Sequence, residues 1–186
     1  MLRKNRFDPA QFRSVLDFGC GCGRVIRHLE CFSNASLHGT DVNGRLIGWC
    51  REHLQVAAFS TNGMAPPLAF EDRRFDLIYA FSALTHLSES LQREWMAELA
   101  RVLRPGGCLV LSEHSSEILE PNERRRFDAG ELVVHMENGA GSNLCNSYHP
   151  RSYVESVLAP PFTVVDFVAE GARGNPHQDL YLLRLP

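Results

Sequence analysis

A run of alternating glycines, Gly19, Gly21 and Gly23, directly follows the apolar segment Ser14–Phe18, and it narrows the fold more than any other feature. Glycine admits positive φ and leaves no Cβ where a ligand approaches the main chain. Between a buried strand and a helix, such a turn points the helix's free N–H groups into the space beyond the strand. A dinucleotide loop has the pattern GxGxxG and makes room for a pyrophosphate. Here Arg24 takes the position of that pattern's last glycine, and Asp17 sets a carboxylate just ahead of the loop. An acid there repels pyrophosphate and suits a ligand carrying an ammonium group. Asp41, at the end of the next apolar segment, is placed to accept hydrogen bonds from both hydroxyls of a ribose.

The remainder of the chain alternates in the same manner. Val25, Ile26, Leu29 and Phe32 predict a helix over 23–32. Residues 36–40 read as a strand, and Asn43 as the cap of a helix running through Leu54. Strands are expected at 55–60, 75–81 and 108–112. A helix is expected from a Ser88 cap to Leu103, closed by Pro105, Gly106 and Gly107. Strands this apolar imply a doubly wound, mostly parallel α/β sheet covered on both faces. A short helix at 153–158 leads to strands at 162–168 and 179–185. The link between those two is too short for a helical crossover, so they are antiparallel, giving a seven-stranded sheet with an antiparallel last strand.

Residues 113–150 are the least regular stretch. A charged helix at 120–126 and a hairpin of 131–135 with 143–148 are expected there. An insertion after a strand's carboxyl end lies over the ligand crevice of such a fold, which makes it a substrate wall. An exposed hairpin can instead serve oligomerisation.

With 186 residues, the chain is expected to form one domain. Its formal charge of -3 argues against a dedicated nucleic-acid binder. No apolar run is long enough to span a bilayer, so no membrane partner is expected. None of the six cysteines forms a CxxC pair, so no metal site is expected and the thiols read as reduced and buried in a cytoplasmic protein.

Residues 15–24 (VLDFGCGCGR), 39–42 (GTDV), 74–79 (RFDLIY) and 103–111 (LRPGGCLVL) resemble the class I S-adenosylmethionine-dependent methyltransferases, a Rossmann-like family, in order and spacing. The resemblance covers roughly residues 14–113. It implies S-adenosyl-L-methionine as cofactor. Gly19, Cys20, Gly21 and Gly23 would pass under its methionine part, and Asp17 would help hold its ammonium. Asp41 would take the ribose hydroxyls and Val42 would pack on the adenine. The family's adenine-contacting acid is replaced by Asn62, followed by Gly63 and Met64. Phe81 and Ser82 would line the methionine and the methyl group. Family members carry one or two lid helices ahead of the first strand; with only the short stretch from Met1 to Arg13 before Ser14, that lid is expected to be short or missing.

A base is needed only where the nucleophile must lose a proton, as a hydroxyl does. Candidates at the crevice are His86, Glu113, His114, Tyr148 and His149, of which the three histidines are the expected catalytic residues, since histidine titrates near neutral pH. Phe81-Ser82-Ala83-Leu84 stands where enzymes methylating nucleic-acid amino groups carry Asn/Asp-Pro-Pro-aromatic. Residues 103–107 (LRPGG) and 85–87 (THL) resemble bacterial methyltransferases acting on small molecules or sugars, and the resemblance implies such an acceptor, methylated at oxygen. A non-catalytic cofactor-binding domain and an NAD-dependent oxidoreductase are the alternatives.

Overall fold

The computed structural model describes residues 1–142, 144–174 and 176–186. The expected hairpin strand from residue 143 thus begins at a residue outside the described ones, as does part of the link before the last strand, at Asn175. The strands are β1 (Ser14–Phe18), β2 (Ser36–Asp41), β3 (Ala58–Thr61), β4 (Phe75–Phe81), β5 (Leu103–His114), β6 (Val133–His135), β7 (Asn146–Tyr148), β8 (Thr163–Ala172) and β9 (Gln178–Arg184). The helices are α1 (Gly44–His53), α2 (Glu89–Val102), α3 (Pro121–Asp128) and α4 (Arg151–Tyr153), the last continued by a π turn over Val154–Leu158.

The order β3-β2-β1-β4-β5 is parallel throughout. β9 lies antiparallel beside β5, and β8 antiparallel beside β9. These seven strands are the expected sheet. The β6–β7 hairpin adds two more by a single pairing, His114 with Tyr148 at the carboxyl tip of β5.

Alternation along the strands sends side chains to two cores. Leu16, Phe18, Ile78, Leu109 and Leu111 pack with Trp95, Met96 and Leu99 of α2. Val15, Leu77, Tyr79 and Val110 pack with Ile47 and Cys50 of α1. Leu99 is fully buried. Truncating such a leucine to alanine would cost about 2–5 kcal/mol. Asn43 caps α1 as expected, its Oδ1 accepting from the N–H groups of Arg45 and Leu46 at 3.1 and 3.3 Å. Ser88 sits at the start of α2 but its hydroxyl pairs with Ser90 instead of capping.

The expected helix over 23–32 does not form. Two 3-10 turns, Ile26–His28 and Glu30–Phe32, replace it. Gly23 adopts a φ of 70°, which no right-handed helix can include. Ile26, Leu29 and Phe32 recur every third residue, the period of a 3-10 turn. Val25, the residue that suggests a wider stripe, stays exposed. β3 starts at Ala58 and not at 55, and β5 runs well beyond 108–112 in both directions. Cys31 is exposed and Cys22 partly so; the other four thiols are buried, and all six are free. Among the described residues, no helix is long and apolar enough to cross a membrane.

Candidate active site

A cleft of about 740 Å³ opens at the carboxyl ends of β1, β2, β4 and β5. Gly19, Gly21, Asp41, Val42, Asn62, Phe81, Ser82, His86 and His114 all line it. Strand polarity produces this convergence, because parallel strands end on one side and their following loops meet there.

The glycine loop is built tightly. Gly19 has a φ of 75°, and a Cβ on it would lie 2.8 Å from the Cβ of Ala83. Gly21 has a φ of 54° and faces open space, so the main chain itself forms the cleft floor there. Asp41 fixes the loop from the side: Oδ2 accepts from Gly21 N at 2.8 Å and Oδ1 from Asn43 N at 2.8 Å. Each oxygen retains a further lone pair. Asn62 Oδ1 accepts from Thr40 Oγ1 at 2.8 Å, and its amide donates to Gly63 O at 2.7 Å.

Asp17 lies beneath the loop in register with Tyr79, on the α1 face of the sheet. Its carboxyl is buried, and Oδ2 has no hydrogen-bond partner. Burial raises its pKa to about 7; the neighbouring Tyr79 hydroxyl works against this, and the nearby Asp41 charge adds to it. The unpartnered Oδ2 leaves this buried acid able to answer a nearby cation, which would favour its charged form.

The Ser82 side of the cleft is held by polar contacts that the sequence motifs do not reveal. Ser82 has a φ of 56°, in the left-handed region. That conformation is unusual for serine and costs about 1–2 kcal/mol of strain. The Ser82 N–H donates to Ser112 Oγ at 2.9 Å, and its Oγ accepts from Gln178 Nε2 at 2.8 Å. Ser112 Oγ in turn donates to Gln178 Oε1 at 2.6 Å. Gln178 opens β9 opposite His114. The antiparallel pairing of the last strand is the sequence signal that points toward it, but the register is not encoded locally.

His86 and His114 meet edge to face with ring centroids 6.2 Å apart. His86 Nδ1 donates to Cys145 O at 2.8 Å. That bond leaves Nε2 as the basic nitrogen. Burial, assisted by His86, lowers the His114 pKa to about 4, so that ring is neutral at pH 7.

Besides Asp17, several expected site residues do not line the cleft. Cys20 turns into the core, its Sγ 3.1 Å from where a Cβ on Gly39 would stand. Gly23 packs against Leu54, and a Cβ on it would stand 2.6 Å from Leu54 Cδ1. Gly63 serves Asn62, and the Met64 carbonyl accepts from Trp95 Nε1 at 2.9 Å while its side chain reaches Gly141. His149 is fully buried, held by Gln92 and beside Glu113, so it cannot meet an acceptor. Its place after β7 suggests the crevice, but its ring turns into the interior toward α2.

Residues 15–107, half of the chain, match the family model described as a methyltransferase domain. The chain belongs to the class I S-adenosylmethionine-dependent methyltransferases. An O-methyltransferase of Penicillium expansum is 32% identical over 123 residues, covering 60% of this chain and 42% of that protein. An alpha N-terminal protein methyltransferase of Caenorhabditis elegans is 31% identical over 133 residues, covering 68% of this chain and 53% of that one. The chain thus spans about half or less of the length of these curated relatives. A solved S-adenosylmethionine-dependent methyltransferase from Methanosarcina mazei superposes with a TM-score of 0.70 at 19% identity, covering 92% of both chains. The methyltransferase cofactor, S-adenosylmethionine, fits the residues present. Asp17, buried beneath the loop with one carboxyl oxygen unpartnered, offers a charge below its ammonium, Gly19 and Gly21 a bare main chain to its methionine part, and Asp41 free lone pairs to its ribose.

Proposed function

We propose that the protein transfers a methyl group from S-adenosylmethionine to a hydroxyl oxygen of a small, uncharged acceptor, with sugars and sugar-like alcohols as the class. The observation that carries this reading is one continuous cleft with the cofactor loop at one end and His86 and His114 at the other. Among the described residues lining it, Arg24 and Asp41 are the only formal charges, and both belong to the cofactor end. An acceptor bound at the other end therefore meets histidines, Ser142 and Asn146 rather than a counter-ion. The negative net charge supports a partner other than nucleic acid.

S-adenosylmethionine supplies a methyl on a cationic sulfur, whose departure needs no acid. What the chain adds is alignment and proton removal. Ser82 and Phe81 close the cleft beside the methyl end. His86, with its Nδ1 proton held by the Cys145 carbonyl, presents Nε2 as the base. Gly19, Gly21, Asp41, Val42 and Asn62 bind the cofactor, and Asp17 acts on its ammonium from beneath the loop. Residues 113–150 contribute the acceptor wall through His114 and the stretch around Ser142 and Asn146. Incubation with methyl-labelled S-adenosylmethionine and a panel of sugars, phenols, carboxylates and amines tests this. Label in the hydroxyl compounds, lost in His86→Ala, supports it; label in amines alone, or in none, refutes it.

A further inference from the structure

A second polar cluster lies under the acceptor end, against α2, and neither cofactor binding nor proton removal uses it. Gln92, Glu113, Ser147 and His149 are fully buried. His149 Nε2 donates to Gln92 Oε1 at 2.9 Å, since an amide oxygen only accepts. The Gln92 amide donates to Leu87 O at 2.9 Å and to Ser147 Oγ at 3.0 Å. Ser147 Oγ donates to the same Leu87 carbonyl at 3.1 Å. His149 N donates to His114 O at 2.9 Å, and the Glu113 carboxyl lies 3.1 Å from His149 Nδ1.

The wiring has a definite destination. Leu87 follows His86 directly, at the end of the turn Leu84–His86. That turn is also gripped by Gly141 N, which donates to His86 O at 2.7 Å, and by the Cys145 carbonyl on His86 Nδ1. Gln92 therefore ties α2 to both the His86 turn and β7, and His149 ties that joint to β5 at His114. The cluster is a poor means of stabilisation. Both Glu113 carboxyl oxygens and His149 Nδ1 are buried without an aligned partner. Apolar side chains of similar volume would hold such a site as well or better. Buried polar groups do, however, fix one arrangement among many, because each bond has a direction.

We propose that Gln92 and His149 are positioning residues that set the orientation of His86 relative to His114, and so the geometry of the acceptor end, while leaving the cofactor end unaffected. The significance of that geometry rests on the methyltransferase reading above; the positioning itself does not.

The test uses the full chain labelled with 15N-histidine. Imidazole nitrogen spectra report the tautomer of His86, and S-adenosylhomocysteine titration reports the cofactor end. Gln92→Met keeps length and volume and removes every bond from Gln92. Ser147→Ala removes the hydroxyl's bond to the Leu87 carbonyl and the one it accepts from the Gln92 amide, leaves Gln92 bonded to Leu87 and His149, and keeps the test alive should the first variant not fold. The expected result is a His86 that changes from a single Nδ1–H tautomer to a mixture, more in Gln92→Met than in Ser147→Ala, with S-adenosylhomocysteine affinity within about twofold of the parent. Unchanged His86 signals in a folded variant that merely melts earlier would overturn the proposal, as would a parallel loss of cofactor affinity. Failure of the parent protein to bind S-adenosylhomocysteine would count against the function proposed above and is read separately from the His86 signals.

Discussion

Asp17→Asn should make the ligand-free protein more stable and the cofactor site worse, and the two effects have one origin. The folded carboxyl has a pKa of about 7 against an ordinary value of 3.8, chiefly because burial disfavours its charge. The folded state therefore holds the proton more tightly than the unfolded chain does. The stability this contributes is complete below about pH 4, declines as pH rises, and is gone above about pH 7. Roughly three pH units at about 1.4 kcal/mol each place the penalty for the ionised form on the order of 4 kcal/mol. Asparagine does not titrate, so the variant escapes that penalty. Denaturant unfolding without ligand should show the variant and the parent alike near pH 4. By about pH 8 the variant should lead by up to a few kcal/mol. S-adenosylhomocysteine binding should weaken by about 1.5–3 kcal/mol, or roughly 10–150-fold, because the ammonium loses a charged partner. In the parent, affinity should fall as pH drops below about 7, since a proton must leave Asp17 before the ammonium binds. Identical pH–stability curves for the two proteins, or undiminished binding by the variant, would refute the reasoning.

Asp41→Ala should lower S-adenosylhomocysteine affinity by about 1.5–3 kcal/mol, measured by calorimetry. It should also cost about 1 kcal/mol of stability. The reason is that Gly21 N and Asn43 N lose their acceptor. Gly19→Ala should be far more damaging than Gly21→Ala in a thermal melt: both need a positive φ, but only at Gly19 does the added methyl strike Ala83. His86→Ala should leave S-adenosylmethionine binding intact and reduce methyl transfer about 10²–10⁴-fold in a labelled-methyl assay. His149→Ala, judged per folded molecule, should fall short of the loss that removal of a base produces.

Much of this architecture is legible because it is periodic. β1 and β4 fall where the apolar runs place them, and Asn43 caps α1 through the geometry its residue type favours. The failure at 23–32 is instructive, since Ile26, Leu29 and Phe32 satisfy a period of three as well as the α-helical one, and only the left-handed Gly23 decides between them. The half of the cleft proposed to hold the cofactor can be read from local motifs, as Gly19, Gly21 and Asp41 each follow or close a strand. The half proposed for the acceptor cannot. Gln178, Ser112 and Gln92 take their places only through the register of β9 on β5 and the packing of α2, which leave no local pattern. For the same reason His114, at the end of β5, and His149, just after β7, part ways: the first lines the cleft and the second is sealed in the interior.

The most direct test of the account is a calorimetric titration of the purified chain with S-adenosylhomocysteine and, separately, with NAD. The account predicts saturable binding of one molecule of S-adenosylhomocysteine per chain, weakened in Asp41→Ala and Asp17→Asn, and no binding of NAD. Binding of NAD alone, or S-adenosylhomocysteine binding indifferent to both substitutions, would contradict it.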